Sequence, residues 1–374
     1  MRILVLNCGS ASVKYKLFEG SRVLHGGLIE DTADYEQAVR RAIAAAAPDP
    51  AAVAAVGHRF VHGGSRFHGA VLLSEEIARE IETFNRLAPL HNPPNLLGYR
   101  TARAALPHCP QAAVFDTAFH QTIPPRAYLY AIPYEHSLRH GIRRYGFHGS
   151  SHRYVTLRYA ELHGGDPRAF KLIICHLGNG CSITAVDGGL AVDTSMGFTP
   201  LEGVVMGSRS GDLDPGALLH LMECEGLDTR QAGRMLNRAS GLRGLSGLSH
   251  DVRELLAAEA SGDERARLAL EIFCYRVIKY IGAYYAVLGG AAALIFTAGI
   301  GENSSEIRAR VCRPLGALGI EIDEEKNRAA RGREADISPP GAATRVWVIP
   351  TDEELLIARE TRAAVLSASP PEGR

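Results

Sequence analysis

The chain has 374 residues, with 41 basic and 41 acidic residues and a formal net charge of zero. This length predicts about two domains, and 46% apolar with 22% charged residues excludes disorder as the main state. Because no excess positive charge is available to neutralise phosphates, the composition excludes a generally basic nucleic-acid binder.

The chain begins with a strand, a polar turn and a second strand. The apolar run 2–6 predicts a buried strand, the segment 7–12 a polar loop, and the alternating segment 13–18 a returning strand. The same pattern recurs at 171–189, where Lys171–Cys175 matches Arg2–Leu6 and the segment after it matches the first loop with one inserted residue. Two such units predict an internal duplication.

A third strand and several helices are predicted further along the chain. The uncharged segment 280–301 is long enough to cross a membrane, but it is rich in Ala and Gly. We interpret it as the end of a buried helix, a turn at Gly289–Gly290 and a buried strand over 293–297 that ends in a Gly-containing loop. Residues 303–306 then predict a helix cap. Apolar spacing near 3.6 predicts helices at 253–260 and 263–288, and residues 353–366 form a predicted last helix.

Cysteine usage and the first residues indicate the compartment. The seven cysteines are odd in number and include no CxxC pair, which predicts reduced, buried thiols in a cytoplasmic protein. The apolar run Ile3–Leu6 is too short for a signal-peptide core. We therefore expect no membrane partner.

The Gly/Ser turns are the first candidate for chemistry. Such turns present backbone N–H groups and small hydroxyls to a phosphate, and in the first turn Ser10, Ser12 and Lys14 add two donors and a cation. For one turn, a plain hairpin is the simpler interpretation. Its recurrence, with the loop at 299–303, favours a nucleotide, although neither GxxxxGK[ST] nor GxGxxG is present.

Four polar clusters are further candidates, each with a structural alternative. Arg59 and Arg209 stand among Gly, His and Ser residues, where an arginine suits carboxylate or phosphate oxygens; with 36 arginines, chance would also place some there. Asp116 in an apolar run is either structural or functional. His148 and His152 have the spacing of a metal pair, but without an accompanying Glu we favour hydrogen bonding. The acids 352–354 suit either a helix N-terminus or Mg²⁺.

The sequence resembles the acetokinase family of the actin-like/Hsp70/sugar-kinase superfamily. The matching stretches, in chain order, are N7-C-G-S-A-S-V-K14, G57-H-R-F-V-H-G-G64, A88-P-L-H-N-P-P94, V114-F-D-T-A-F-H-Q-T122, Y145-G-F-H-G-S-S-H152, C175-H-L-G-N-G180, T194-S-M-G-F-T-P-L-E-G203, T297-A-G-I-G-E-N303 and I349-P-T-D-E-E-L355. Taken together and in this order, these stretches are highly specific.

The resemblance implies an α/β fold of two facing actin-like (ribonuclease-H-like) domains that arose by internal duplication, with ATP in the interdomain cleft. The expected domains are residues 1–118 plus 354–374, and residues 119–353, which bind the nucleotide. The implied activity is that of an acetate kinase: ATP and acetate give ADP and acetyl phosphate, reversibly and by direct in-line transfer. The implied cofactor is Mg²⁺, or Mn²⁺ in its place. A homodimer is also implied, and the helix around 273–285 suits either its interface or the core.

The resemblance also assigns roles residue by residue. The implied catalytic residues are Arg59, Asp116, His148 and Arg209, and Arg59 also binds acetate. The acetate methyl group is expected against Val61, Leu90, Phe147 and Pro200. The implied metal-site residues are Asn7 and Glu353. The implied nucleotide contacts are Ser10, Ser12, Lys14, His176, Leu177, Gly178, Asn179, Gly180, Asp251, Val252, Arg253, Gly299, Ile300, Gly301, Glu302 and Asn303.

The chain departs from the family pattern away from these residues. The region between Phe18 and Ala54 is shorter than in typical members. Ala11 replaces a serine often seen in the first loop, Cys181 replaces a small residue that is usually serine, and Asp352 stands where asparagine is usual. Acetate is ionised at neutral pH and needs no general base, so we expect Asp116 to orient Arg209, His148 or metal-bound water; accounts of the family assign it proton transfer.

Three other functions stay open at this point. The chain could phosphorylate propionate or butyrate, because the size of the acyl pocket decides between these acids. It could be an actin- or Hsp70-like ATPase, although it lacks a separate peptide-binding region. A catalytically silent scaffold is disfavoured by the joint presence of the four implied catalytic residues.

Overall fold

The structure is a computed structural model that describes residues 1–9, 12–30 and 34–368. The chain divides into two compact units. The first unit contains residues 1–121, 149–154 and the chain from 352 onward, and the second contains residues 122–148 and 155–351. Each unit is built on one six-stranded sheet.

The sheet of the first unit is mixed. Its strands are β1 (Arg2–Cys8), β2 (Val13–Glu19), β3 (Arg22–Ile29), β4 (Ala55–Phe60), β5 (Val71–Leu72) and β6 (Gln111–Phe115), in the order β3-β2-β1-β4-β6-β5. The pairs β1–β4 and β4–β6 are parallel, whereas β1–β2, β2–β3 and β5–β6 are antiparallel. The carboxyl ends of three neighbouring parallel strands therefore share one edge of the sheet.

The second unit has an equivalent sheet. Its strands are β7 (Lys171–Leu177), β8 (Cys181–Asp187), β9 (Leu190–Thr194), β10 (Ala293–Thr297), β11 (Ala335–Asp336) and β12 (Arg345–Val348). Their order is β11-β12-β10-β7-β8-β9, with β7–β10 and β10–β12 parallel. Strand for strand, this is the order and the direction found in the first unit.

A shared irregularity supports the duplication. The register between β2 and β3 shifts at Leu17/Phe18, and the register between β8 and β9 shifts at Ala185/Val186. Both shifts fall between the fifth and sixth residues of the second strand of their unit. The predicted α/β fold, with two actin-like (ribonuclease-H-like) domains from an internal duplication, is confirmed.

Helices flank both sheets. They are α1 (Tyr35–Ala46), α2 (Glu75–Glu82), α3 (Asn92–Ala105), α4 (Pro125–Tyr128), α5 (Tyr134–His140), α6 (Gly149–Leu162), α7 (Pro215–Glu225), α8 (Thr229–Arg238), α9 (Gly241–Ser246), α10 (Val252–Ala260), α11 (Glu264–Leu288), α12 (Ala298–Asn303), α13 (Ser305–Cys312), α14 (Glu324–Ala329) and α15 (Glu353–Ala368). Asp251 and Asp263 accept hydrogen bonds from the first turns of α10 and α11. The three predicted helices are confirmed to within one or two residues at each end.

The cores consist of apolar strand faces covered by helices. In the first unit, the rings of Phe67 and Phe115 stack with centroids 4.6 Å apart. In the second unit, every residue of β10 is buried. The largest buried side chain there is that of Arg308, which donates to Oδ1 of Asn327 and to three backbone carbonyls at 2.7–2.8 Å. These bonds offset its desolvation, although burial lowers the pKa of the guanidinium to about 10.

Two local predictions are corrected. The strands extend beyond the predicted ends, so Asn7 lies within β1 and His176 within β7 rather than in loops. Residues 298–303 form the short helix α12 rather than a loop, and Ala298 begins it with a φ of 65°. The predicted helix cap is confirmed at Ser304, whose hydroxyl accepts from the N–H of Ile307.

The few lysines are engaged in specific contacts. The sequence contains five; Lys171 donates to the carbonyl of Leu288 at 2.7 Å and Lys326 to that of Ser338 at 2.8 Å.

Among the described residues, no helix is both long and apolar enough to cross a membrane. All seven cysteines are free thiols, and six of them are buried.

Candidate active site

Four predicted residues meet at the carboxyl edge of the first sheet. Arg59 on β4 donates to both carboxylate oxygens of Asp116, which directly follows β6. The same guanidinium donates to Oδ1 of Asn7 on β1 at 3.3 Å. Its Nε lies 3.8 Å from Oε2 of Glu353, the first residue of α15. Parallel neighbouring strands bring these side chains together.

The charges in this cluster strongly affect one another. Burial raises the pKa of Glu353 to about 7; Arg59 opposes this shift, while Asp116 and Glu354 add to it. The Asp116 side chain is 2% exposed and also accepts from the hydroxyl of Ser150 at 3.3 Å. A buried carboxylate with a bidentate arginine partner is well suited to fix that arginine in place.

A second acidic group lies beside this cluster. Lys14 on β2 pairs with Glu354 at 2.7 Å, and Lys16 bridges Glu354 and Asp352 at 3.2 Å each. Although burial alone would raise the pKa of Glu354, the two ammonium groups lower it. These pairs attach the start of α15 to β2. Ser12 accepts from the N–H of Gly9 through its backbone oxygen.

The structure describes the apolar residues predicted to contact the acetate methyl group, but it does not describe Ser10. Ser10, predicted to contact the nucleotide, lies outside the described residues. Val61 is buried, and its N–H donates to Oδ1 of Asn95 at 3.3 Å. Leu90 is 59% exposed. Phe147 is buried in the second unit.

Two asparagines that we did not single out support the segment after β4. Asn92 exchanges two hydrogen bonds with the backbone of His62 at 2.9 and 3.2 Å. Asn95 binds the N–H of Val61 and the carbonyl of Cys8. Both are buried on α3. Their signal in the sequence is the pair of amides in the segment 92–95 on an otherwise apolar helix face.

In the second unit, the hairpin 178–180 brings several predicted residues together. A Cβ atom on Gly180 would lie 3.2 Å from Nε2 of His148 and 3.5 Å from Nη1 of Arg209. Nδ1 of His148 lies 2.9 Å from Oγ of Ser182, and its ring stacks on His176 with centroids 4.1 Å apart. His148 has a φ of 56° and directly precedes α6. The hairpin, an imidazole and a guanidinium thus surround one small space.

Arg209 has no anionic partner among the described residues. Its Nη1 donates to the carbonyl of Pro200 at 3.1 Å and lies 3.5 Å from Sδ of Met206. No described carboxylate forms an ion pair with it, and burial lowers its pKa. A partly buried guanidinium that lacks a counter-ion suits an anion supplied by a ligand.

A cavity of about 720 Å³ opens beside the hairpin. Its lining includes the predicted residues Gly178, Asn179, Asp251, Val252, Arg253, Gly299, Ile300 and Asn303. It also includes residues we did not predict, namely His250, Leu256, Ser304, Ser305, Glu306 and Arg331. Its volume suits a nucleotide-sized ligand. Arg331 belongs to no motif, so the sequence contained no signal for it.

Seven described residues among the predicted nucleotide contacts do not line this cavity: Ser12, Lys14, His176, Leu177, Gly180, Gly301 and Glu302. Oε1 of Glu302 accepts from the N–H groups of Ala298 at 2.7 Å and Thr351 at 3.1 Å. The carbonyl of Gly301 accepts from Arg308 at 2.8 Å. Their observed contacts fix α12, which in turn presents Gly299, Ile300 and Asn303 to the cavity. Leu177 is buried at the end of β7.

The fold and the site define a duplicated actin-like α/β protein with a ligand cavity in its second unit. The sequence matches the Acetokinase family over residues 29–359, and the chain belongs to that family. It is 48% identical to the acetate kinase of Natranaerobius thermophilus, over 97% of this chain and 99% of that one. It is also 48% identical to the acetate kinase of Methanosarcina thermophila, with 98% and 97% coverage.

Solved structures agree with this placement. The crystal structure of Porphyromonas gingivalis acetate kinase has a TM-score of 0.93 and 43% identity, with 97% of this chain and 99% of that chain covered. A propionate kinase from Francisella tularensis has a TM-score of 0.91 and 40% identity, at the same coverage.

Proposed function

We propose that the chain is an acetate kinase, which reversibly transfers the terminal phosphoryl group of ATP to acetate and gives acetyl phosphate and ADP. The observation that carries the proposal is the position of the hairpin 178–180. Gly178 and Asn179 line the 720 Å³ cavity, and Gly180 lies close to His148 and Arg209. A nucleotide bound in the cavity, with its phosphates along the hairpin, would direct its terminal phosphoryl group at both side chains.

The second unit would stabilise the transition state. Charge develops on the three equatorial oxygens of the phosphoryl group in flight, and donors placed in advance stabilise it. Arg209 supplies a guanidinium that forms no ion pair with a carboxylate of the described residues. His148 is oriented by Ser182 and His176. Gly301 and Glu302 would act by fixing α12. The other predicted nucleotide residues would contact the nucleotide directly; they include Ser10, Ser12 and Lys14 of the first unit.

The first unit would hold acetate. The nucleophile is already ionised at neutral pH, because the pKa of a carboxylic acid lies near 4.3. Arg59 would bind its carboxylate, with the methyl group against Val61, Leu90, Phe147 and Pro200. Asp116, which we expected to orient Arg209, His148 or metal-bound water, pairs with Arg59 instead. It would therefore orient the Arg59 guanidinium rather than remove a proton. Catalysis then rests on alignment and charge.

Mg²⁺, or Mn²⁺ in its place, is part of the proposal. The amide oxygen of Asn7 and the carboxylate of Glu353 are both hard oxygen ligands close to one guanidinium, that of Arg59. This donor set fits a hard divalent cation bound partly through water. Such an ion, when bound, neutralises charge on the phosphates of the nucleotide.

A second candidate activity is that of a propionate or butyrate kinase. The propionate kinase from Francisella tularensis resembles this chain nearly as well as the acetate kinases do. One methylene in an apolar pocket changes discrimination by only about 1–3 kcal/mol. An actin- or Hsp70-like ATPase is the third candidate.

The test is an acyl-phosphate trap. The protein is incubated with Mg-ATP, hydroxylamine and acetate, propionate or butyrate, and hydroxamate is measured. We expect acetate to give the highest kcat/KM. Hydroxamate formation favouring propionate or butyrate would select the second candidate. Steady ADP release without any hydroxamate would refute both and favour the ATPase.

Arg209→Ala gives a sharper arm of the same test. We expect kcat to fall on the order of 10³-fold with little change in the KM for ATP. The matched control is Arg168→Ala, whose side chain is 82% exposed and pairs only locally with Asp166. A loss of ATP affinity at unchanged kcat would exclude Arg209 from the transition state.

Domain boundaries, assembly and location complete the proposal. We propose domains at residues 1–118 plus 354–374 and at residues 119–353; the two compact units differ from these bounds, because they place residues 119–121, 149–154 and 352–353 in the first unit. A homodimer through the second unit is supported by α7. None of its residues is buried, and the apolar side chain of Leu219 on it is 67% exposed. On α11, Phe273 is buried while Tyr275 is 60% exposed. The buried thiols support a cytoplasmic location.

A further inference from the structure

One arginine joins two segments of the candidate site in the second unit. Arg144 lies in the segment that leads into His148. Its Nη1 donates to the carbonyls of Ser195 at 3.0 Å and Met196 at 3.2 Å. Its Nη2 donates to Oε1 of Glu202 at 2.6 Å. The guanidinium therefore binds both ends of residues 195–202, which we term the clamped loop.

Tyr130 completes the same network. Its hydroxyl donates to the other carboxylate oxygen of Glu202 and accepts from the N–H of Phe198 at 2.9 Å. The carbonyl of Gly197 accepts from the N–H of Tyr145 at 3.0 Å. A Cβ atom on Gly197 would lie 1.7 Å from Oε2 of Glu202 and 2.2 Å from the hydroxyl oxygen of Tyr130, so a side chain there would displace both groups. The clamped loop is thus fixed by side chains at close range.

The clamped loop in turn contacts Arg209. Residues 195–214 contain neither helix nor strand, so hydrogen bonds and packing must set their conformation. The carbonyl of Pro200, within the loop, accepts from Nη1 of Arg209 at 3.1 Å. Beyond the loop, Gly203 and Asp212 exchange two hydrogen bonds of 2.8 Å. Arg209 lies between these fixed points and has no ion pair of its own among the described residues.

Charge and burial make this network strong. The Arg144 side chain is 15% exposed and that of Glu202 is 31% exposed. Burial alone would lower the pKa of Arg144, but Glu202 raises it overall, so the guanidinium stays charged. Hydrogen bonds between ionised groups in a partly buried site are about twice as strong as neutral ones.

We propose that Arg144, acting with Glu202 and Tyr130, is a positioning residue for phosphoryl transfer, because it holds the clamped loop so that Pro200 fixes the guanidinium of Arg209. This inference rests on the proposed function. Arg144 is absent from the cavity lining. Its loss should therefore affect the chemical step and not nucleotide binding.

The variants are Glu202→Gln, Tyr130→Phe and Arg144→Lys. The control is Asp336→Asn, which breaks a comparable, partly buried pair between Asp336 and Arg345 in the same unit. A displacement of about 1 Å at a reacting centre costs on the order of 10²-fold in rate. We expect kcat to fall by ten- to a hundredfold in Glu202→Gln and less in Tyr130→Phe, with the KM for ATP within twofold of wild type in both.

The outcomes distinguish a failure of the inference about Arg144 from a failure of the proposed function. Equal losses of kcat in Asp336→Asn would mean that any broken ion pair acts through stability, and would overturn the inference. So would a kcat within twofold of wild type in both Glu202→Gln and Tyr130→Phe. If Arg144→Lys fails to fold, Tyr130→Phe, which removes one hydroxyl, still decides. Wild-type protein that forms no hydroxamate would refute the proposed function, and the inference with it.

Discussion

Gly180→Ala tests the space between the hairpin and the two candidate stabilising side chains. The added methyl group would lie 3.2 Å from Nε2 and 3.3 Å from Cε1 of His148, and 3.5 Å from Nη1 of Arg209. At such distances the neighbour must move by a few tenths of an ångström. The imidazole is held by Ser182 at 2.9 Å, so a shift would disturb that bond. Since a 1 Å misplacement costs about 10²-fold, we expect kcat to fall about tenfold.

The assay is steady-state kinetics by the hydroxamate method, with thermal unfolding in parallel. The KM for ATP is measured in the same assay, because Gly180 is itself a proposed contact of the nucleotide phosphates. The matched control is Gly282→Ala inside α11, where nothing lies within 4 Å of the added methyl. It should leave kcat unchanged and stabilise the protein by about 1 kcal/mol. A kcat for Gly180→Ala within twofold of wild type would show that the geometry of this space does not limit the reaction.

Three further predictions concern stability and specificity. Arg308→Met should lower the free energy of unfolding by about 3 kcal/mol or more, because it leaves buried carbonyls unpaired, and should raise the KM for ATP through α12; an unchanged melting temperature would contradict this. Burial lowers the pKa of His58 to about 4, below its unfolded value near 6.5, so about 3 kcal/mol of stability present above pH 6.5 should be lost as the pH falls to 4. In urea titrations, the free energy of unfolding of His58→Asn should fall less between pH 6.5 and 4 than that of the wild type. The same pH dependence in both proteins would contradict the role of His58. Val61→Ala should raise kcat/KM for propionate relative to acetate by up to tenfold, and a constant ratio would remove Val61 from the methyl pocket.

The sequence predicted features whose signal is local. The two hairpins, the strand 293–297 and the helices α10, α11 and α15 follow from apolar periodicity and cap residues close in the chain. Asn7 and His176 were placed in loops because polar residues after an apolar run usually end a strand. The structure continues both strands because their neighbours supply pairing partners, which the sequence does not reveal.

Long-range contacts account for what the sequence missed. Arg308, in a polar helical segment, would ordinarily be exposed, yet carbonyls from α12 and from the end of α14 bury it. Glu302 has the position of a ligand contact in its motif, but it binds Thr351, far away in the chain. The pairing of Asp116 with Arg59 depends on the order of strands in the sheet. Such contacts arise only when the whole unit has folded.

The lysine contacts have a consequence for a protein that makes an acyl phosphate. Acyl phosphates acylate free amines, so an enzyme that releases one is exposed to modification by its own product. Lys14 and Lys16 form ion pairs with carboxylates, and the pKa of Lys16 is raised, since the pull of its acidic neighbours outweighs its desolvation. Lys171 and Lys326 donate to carbonyls. Lys279, which is exposed and lies 6.0 Å from the ring of Tyr275, forms neither kind of bond with the described residues and is the lysine we expect to undergo such self-acetylation.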